Sequence, residues 1–262
     1  MDSIPTTVQP RRFVRVAIAI AAIAVGVAAI GGVVAWNWQD VNRGEMDREV
    51  TFSFKSTLLA FDSARSVNRI MKTDFPVPNK LDDAGKPLSS WRFQISPYLE
   101  FEPRIAGNLK ASWEAPENAA ARLRTPHNYC FLGDDQPGAT TNVFAMTGKG
   151  TAMDPDLQPT EETLPPNLIV LMETGDDSTH WMQPGDYDVA KFLESPGVLG
   201  DVAKGVRADR IHVAFADAEV WALKADTPVE RLRPFLTIDA AKSASRGDLR
   251  EFQLPMKPTQ RN

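Results

Sequence analysis

The feature that most constrains this chain is the run from Val16 to Trp36, 21 residues without a charged or strongly polar side chain. About 20 helical residues, each rising about 1.5 Å, cross the ~30 Å hydrocarbon core of a bilayer. Trp36 and Trp38 stand where an interfacial aromatic belt would form. Residues 16–38 are therefore expected to be a transmembrane anchor, with residues 1–15 as a basic cytoplasmic tail. Arg11, Arg12 and Arg15 favour that orientation, although Arg43 and Arg48 follow the span closely. A cleavable signal peptide ending near Val33-Val34-Ala35 is the alternative, but the run exceeds the ~7–15 residues of an ordinary signal core. Ala24/Ala28 and Ala28/Gly32 have the small-residue spacing that lets helices approach closely.

Charge and cysteine usage narrow the partners. The net charge is −5; residues 1–15 carry +2, so the rest carries −7. An acidic domain lacks the electrostatic footprint of a nucleic-acid binder, so no nucleic acid is expected. The lipid bilayer and other envelope proteins are the expected partners, with the oligomeric state open. A single cysteine, Cys130, precludes an intramolecular disulfide and a Cys-based zinc cluster.

Beyond the anchor, Val50, Phe54, Leu58, Phe61 and Ala64 recur at helical spacing, with Lys55, Asp62 and Arg65 elsewhere on the wheel. This predicts an amphipathic stalk helix within residues 39–75, running to about Met71 and stopped by Phe75-Pro76-Val77-Pro78. Residues 76–250 are expected to form an extracytoplasmic head, and 251–262 a loose tail. Within the head, 79–90 read as a polar loop, and Ser89 or Ser90 caps a short helix through Trp91, Ile95 and Leu99 that Pro97 makes irregular. Residues 115–123 read as helical. Asn142–Met146 and Asn167–Glu173 read as strands, separated by a surface loop over 147–166. Ile211–Ala216 and Glu219–Leu223 read as a hairpin closed by Asp217-Ala218 in a type I′ turn, where Ala218 pays for a positive φ. A helix is expected from about Asp226 to Leu236, with Pro228 near its first turn.

A search for chemistry finds no specific constellation. Phosphate-binding loops, dinucleotide fingerprints, paired zinc histidines and nucleophile elbows are all missing from the sequence. His127, His180 and His212 form no ligand-spaced pair. His180 with Asp176 and Asp177 is a conceivable metal site, but Gly175-Asp-Asp-Ser is also an ordinary turn. Asp154 and Asp156 read as solvated loop residues, Cys130 as a buried structural thiol, and His212 as structural. No catalytic, cofactor-binding or metal-binding residue is therefore assigned, and no cofactor is expected.

Taken in order, several fragments resemble a family of planctomycete prepilin-like proteins, a domain of unknown function with an H-x9-DG motif near the C-terminus. They are Asp83-Ala-Gly-Lys-Pro-Leu-Ser-Ser-Trp-Arg92, Pro97-Tyr-Leu-Glu100, Trp113-Glu-Ala-Pro-Glu-Asn118 and Thr141-Asn-Val-Phe-Ala145. Gly148-Lys-Gly-Thr-Ala152, Leu168–Glu173, Trp181-Met-Gln-Pro-Gly-Asp186 and Val213-Ala-Phe-Ala-Asp217 continue the series. The resemblance implies an α+β fold: an N-terminal transmembrane helix, an amphipathic stalk helix, and a pilin-like head with an antiparallel sheet. It implies no enzyme activity. The sequence departs from the family at the motif, whose His falls at Arg207 and whose Gly falls at Ala218. An earlier cysteine that many relatives carry, and that would partner Cys130, is also missing.

The leading expectation is a single-pass, inner-membrane, pilin-like structural or interaction protein with its head outside the cytoplasm. An anchored ligand-binding domain is the second expectation and a metal-dependent hydrolase the third. Phe13 follows Arg12 rather than the Gly of a prepilin signal, and the acidic residue after the cut is missing too. Prepilin-type cleavage is thus not expected, and Edman sequencing of the mature protein should find no new N-terminus at Phe13.

Overall fold

A computed structural model describes residues 44–64, 66–67, 79–83, 85, 87–99, 105, 107–131, 139–154, 156–157, 164–176 and 178–256. The proposed anchor and tail, residues 1–38, lie outside them, as do 68–78 and 257–262. Among the described residues no helix is long and apolar enough to cross a membrane. The chain divides into two compact units, Met1–Met46 and Asp47–Asn262. Of the first, residues 44–46 are described and are helical. The second is an α+β unit built on a mixed six-stranded sheet.

The second unit begins with helix α1, residues 47–64. Its expected apolar stripe is buried at every position: Val50, Phe54, Leu58, Phe61 and Ala64. Phe54 meets Phe131 edge-on at 5.8 Å and Phe61 stacks on Trp91 at 4.9 Å. Such aromatic pairs add about 0.5–1.5 kcal/mol each beyond the area they bury. The helix is thus part of the unit's core along this stretch.

Residues 79–90 form more structure than a polar loop. Strands β1 (Asn79–Leu81) and β2 (Pro87–Ser90) pair antiparallel, and Gly85 turns the chain between them at a φ of 77°. The short helix α2 (Trp91–Ile95) follows, and the Ser90 hydroxyl caps it by accepting from Phe93 N–H. A 3-10 turn, Ser96–Tyr98, then takes Pro97 into its first positions, which need no N–H. The expected helical stretch at 115–123 is a 3-10 turn (Pro116–Asn118) running into α3 (Ala119–Arg122). Buried Asn118 holds the preceding loop: Oδ1 accepts from Asn108 N–H, and Nδ2 donates to the carbonyls of Asn108 and Ser112.

The main sheet comprises β3 (Val143–Thr147), β4 (Ile169–Glu173), β5 (Tyr187–Asp188), β6 (Arg210–Phe215), β7 (Val220–Lys224) and β8 (Gln253–Leu254). Their order is β5-β3-β4-β6-β7-β8. All pairs are antiparallel except β3 with β5, so the sheet is mixed rather than purely antiparallel. The Gln253–Leu254 strand also places the start of the expected loose tail inside the fold. Helices α4 (Val189–Glu194) and α5 (Leu199–Ala203) follow β5. The expected 226–236 helix is a 3-10 helix, Val229–Phe235, interrupted by Pro234, and the short α6 (Ile238–Ala241) follows it.

Every residue of β4 and β6 is buried, so both faces of the sheet are covered. Side chains alternate between faces along a strand. Ile211, Val213 and Phe215 face one core with Phe192, Leu199, Leu232 and Phe235. Arg210 and His212 face the other way, toward Asp47 of α1.

The β6–β7 hairpin corrects the expected turn. Ala218 has a φ of 63°, but among the described residues Lys204 is the only other non-glycine with a positive φ, so Asp217 lacks the geometry of a type I′ turn. Ala218 N–H donates to Phe215 O, and Phe215 N–H donates to Glu219 O. This is a three-residue loop, Ala216-Asp217-Ala218, with the left-handed residue last. Asp217 favours it by accepting from Glu219 N–H. The Cβ of Ala218 still pays for its conformation, so Ala218→Gly should stabilise the unit by about 0.5–1 kcal/mol in urea unfolding.

Candidate functional site

Two buried ionic centres organise the unit. The first is built on Arg92, whose side chain is fully buried in α2. A guanidinium has five N–H donors in a planar fork. Here Nε donates to Trp181 O at 3.0 Å, and Nη1 donates to Val143 O at 3.1 Å and Asp186 Oδ1 at 2.9 Å. Nη2 donates to Gln183 O at 3.1 Å and Gly185 O at 2.9 Å. All five donors are thus used, four of them on backbone carbonyls. Asp186 Oδ1 also accepts from Trp91 Nε1 at 2.9 Å and from Ala145 N–H at 2.8 Å. Burial pushes the Asp186 carboxyl above the usual carboxylate range, against the pull of Arg92. Ser90 completes the arrangement, its hydroxyl donating to Trp181 O and its N–H to Met182 O.

The second centre surrounds His212, also fully buried. Its Nδ1 lies 2.5 Å from Glu173 Oε2, and its Nε2 lies 3.2 Å from Asp47 Oδ1. Glu173 also accepts from His212 N–H at 2.9 Å and Val206 N–H at 2.7 Å. Arg210 Nη1 reaches both Asp47 oxygens, at 3.2 and 3.1 Å, and Arg207 approaches Asp47 at 3.6 Å. Asp209 pairs with both arginines at 3.0 Å. Burial opposes charge on His212, but hydrogen bonds to Asp47 and Glu173, with their charges, outweigh it and raise its pKa above the ordinary 6.5. Burial likewise opposes charge on Asp47, yet His212, Arg210 and Arg207 hold its carboxyl below the usual range. The centre has no nucleophilic hydroxyl or thiol in this set of contacts, and its two imidazole nitrogens face different carboxylates. It joins α1 to β4 and β6.

The residues considered for chemistry are placed differently. His180 packs on Trp113 in a tilted contact at 4.9 Å. Its Nδ1 accepts from Met182 N–H, and its Nε2 faces Arg122 O at 3.2 Å. Burial lowers its pKa below the ordinary 6.5, and both ring nitrogens are engaged by backbone. Asp176 accepts from Ser178 N–H and hydroxyl, the ordinary turn; Asp177 lies outside the described residues. Among the described residues no group of three His, Cys, Asp or Glu side chains is placed to hold a metal ion. Asp154 is buried rather than solvated, because it folds its own loop: it accepts from Gly150 N–H and Asp156 N–H. Cys130 is a free thiol and only partly buried. His212 belongs to a charged network that spacing did not reveal.

One groove borders α1. It holds about 320 Å³, counting solvent open to it, and Leu58, Phe61, Asp62, Met153, Leu164 and Val170 are among the residues that line it. Asp62 is the one charged residue in its lining. Comparison with protein-family models, curated proteins and solved structures gives no match.

The Arg92 centre makes a sharp prediction. Arg92→Met takes the cation from a buried carboxylate and a donor from each of four carbonyls, and breaking a buried pair in this way costs about 3–5 kcal/mol. Arg92→Lys supplies three donors for five acceptors and should still lose about 1–3 kcal/mol. Urea unfolding of the two variants measures both losses, and near-wild-type stability of Arg92→Lys would mean that the fork geometry is unimportant.

Proposed function

We propose that this chain is a membrane-anchored, pilin-like structural or interaction protein of the cell envelope, with its α+β unit outside the cytoplasm. The observation that carries this reading is the 21-residue uncharged run, Val16–Trp36, shortly ahead of a helix whose inner face is core of the α+β unit. A membrane-embedded segment leading into a helix that a mixed α+β head packs around is the plan that the prepilin-like resemblance implies.

Contacts between the resembling fragments support the same reading. Ser89-Ser-Trp-Arg92, Thr141-Asn-Val-Phe-Ala145 and Trp181-Met-Gln-Pro-Gly-Asp186 meet around one guanidinium. Fragments that recur in a fixed order because they build one centre are what a shared fold would produce. The role proposed is non-catalytic: both buried ionic centres join secondary-structure elements. The groove at α1 has a single charged residue and lacks the convergent polar groups of a ligand-binding pocket.

Protease added to intact spheroplasts tests the topology. The α+β unit should be digested from outside, while the protein resists alkaline carbonate extraction from membranes. Protection that ends only on lysis would place the unit in the cytoplasm and overturn the reading.

A further inference from the structure

The His212 centre is a buried titratable cluster that the proposed function leaves unused, and its geometry is asymmetric. Nδ1 is held at 2.5 Å by Glu173 and Nε2 at 3.2 Å by Asp47. The carboxylates differ in what else they have. Asp47 retains Arg210 and Arg207, two guanidinium groups on one oxygen pair. Glu173 has two backbone amides, of His212 and Val206, and its charge helps to raise the pKa of the Tyr187 phenol, behind burial. Asp209 faces the arginines from the turn before β6, and β7 places Ala222 opposite His212.

A doubly protonated imidazole donates to both carboxylates. With one proton it can serve only one, and the shorter contact decides which: it goes to Glu173, which among the described residues pairs with no arginine. The proton stays on Nδ1 for Glu173. Nε2 then presents a lone pair to Asp47 Oδ1 across a buried gap, where two facing acceptors repel. We propose that His212 is a proton-operated latch that fastens the Asp47 end of α1 to the sheet and opens on the Asp47 side when the ring loses one proton.

The sign follows from linkage. His212 is raised in the fold, so its contribution is fully present below about pH 6.5 and is lost as pH rises through the folded value. Asp47 is lowered, so its contribution is present above about pH 3.8 and is lost as pH falls through its folded value. Between these limits the latch is closed; on the alkaline side it opens while Glu173 stays bound to β6.

Hydrogen exchange on the full-length chain in detergent micelles tests this, with rates normalised to the unstructured peptide at each pH. From about pH 6 to about pH 9, exchange in residues 48–57 should accelerate roughly tenfold or more, while 169–173 and 211–215 stay protected. Histidine carbon NMR of the wild type should place the His212 midpoint above 6.5, at the same pH as the change in exchange. Asp47→Asn should give fast exchange in 48–57 at every pH, and His212→Gln should remove the pH dependence. A His212 midpoint at or below 6.5 overturns the proposal, as does simultaneous loss of protection in helix and sheet. An unchanged pH response in His212→Gln overturns it as well.

Discussion

One guanidinium sets the arrangement of the α+β unit. Removing Arg92 from water costs several kcal/mol, and the fold offsets this only because every donor meets an acceptor. Those acceptors come from two separate stretches: β3, and the 181–186 segment, which gives three carbonyls and the carboxylate of Asp186. The 181–186 stretch has little secondary structure, so its carbonyls need partners from elsewhere. Arg92 supplies them and thereby fixes the path of the chain into β5. The pairing of β5 with β3, the parallel edge of the sheet, rests on that path.

The two ionic centres do different work with similar parts. Around Arg92 a single cation meets mostly neutral carbonyls, and the contacts are geometric. Around His212, with the ring protonated, three cations (His212, Arg207, Arg210) meet three anions (Asp47, Glu173, Asp209), so the cluster is neutral as a whole. A neutral cluster can sit against a buried sheet face without the self-energy of an isolated charge. It also explains how β6 tolerates Arg210 and His212 within a strand whose six residues are all buried.

Local signals carried much of this fold. Helical spacing found the inner face of α1 because burial there is a one-dimensional pattern. Ser90 and Pro97 announced α2 and the 3-10 turn after it, since caps and proline act over a few residues. The turn at Ala218 was misread because dipeptide rules take a two-residue loop, whereas the strand register set a loop one residue longer. The parallel β5 edge and the β8 strand were missed because each is two residues long and is defined by its partner. The ionic centres were illegible for a stronger reason. Arg92 and Asp186 are 94 positions apart, and Asp47 and His212 are 165 apart. A signal did exist: Glu173 ends one apolar strand run and His212 interrupts another, and charged or polar residues in such places are buried only when paired. It tells which residues need partners but not who the partners are.

These separations bear on how the chain reaches its fold. The apolar face of α1 emerges early in synthesis, yet the strand that carries its ionic partners comes more than 160 residues later. Closing loops of that length costs entropy before any contact repays it, and contacts so remote in sequence slow folding. Phe61 and Phe54 can meet Trp91 and Phe131 sooner, but Asp47 lacks Arg210 and His212 until those residues have been made. A chain caught in that interval holds α1 by apolar contacts alone, and partly packed species of this kind are prone to aggregate.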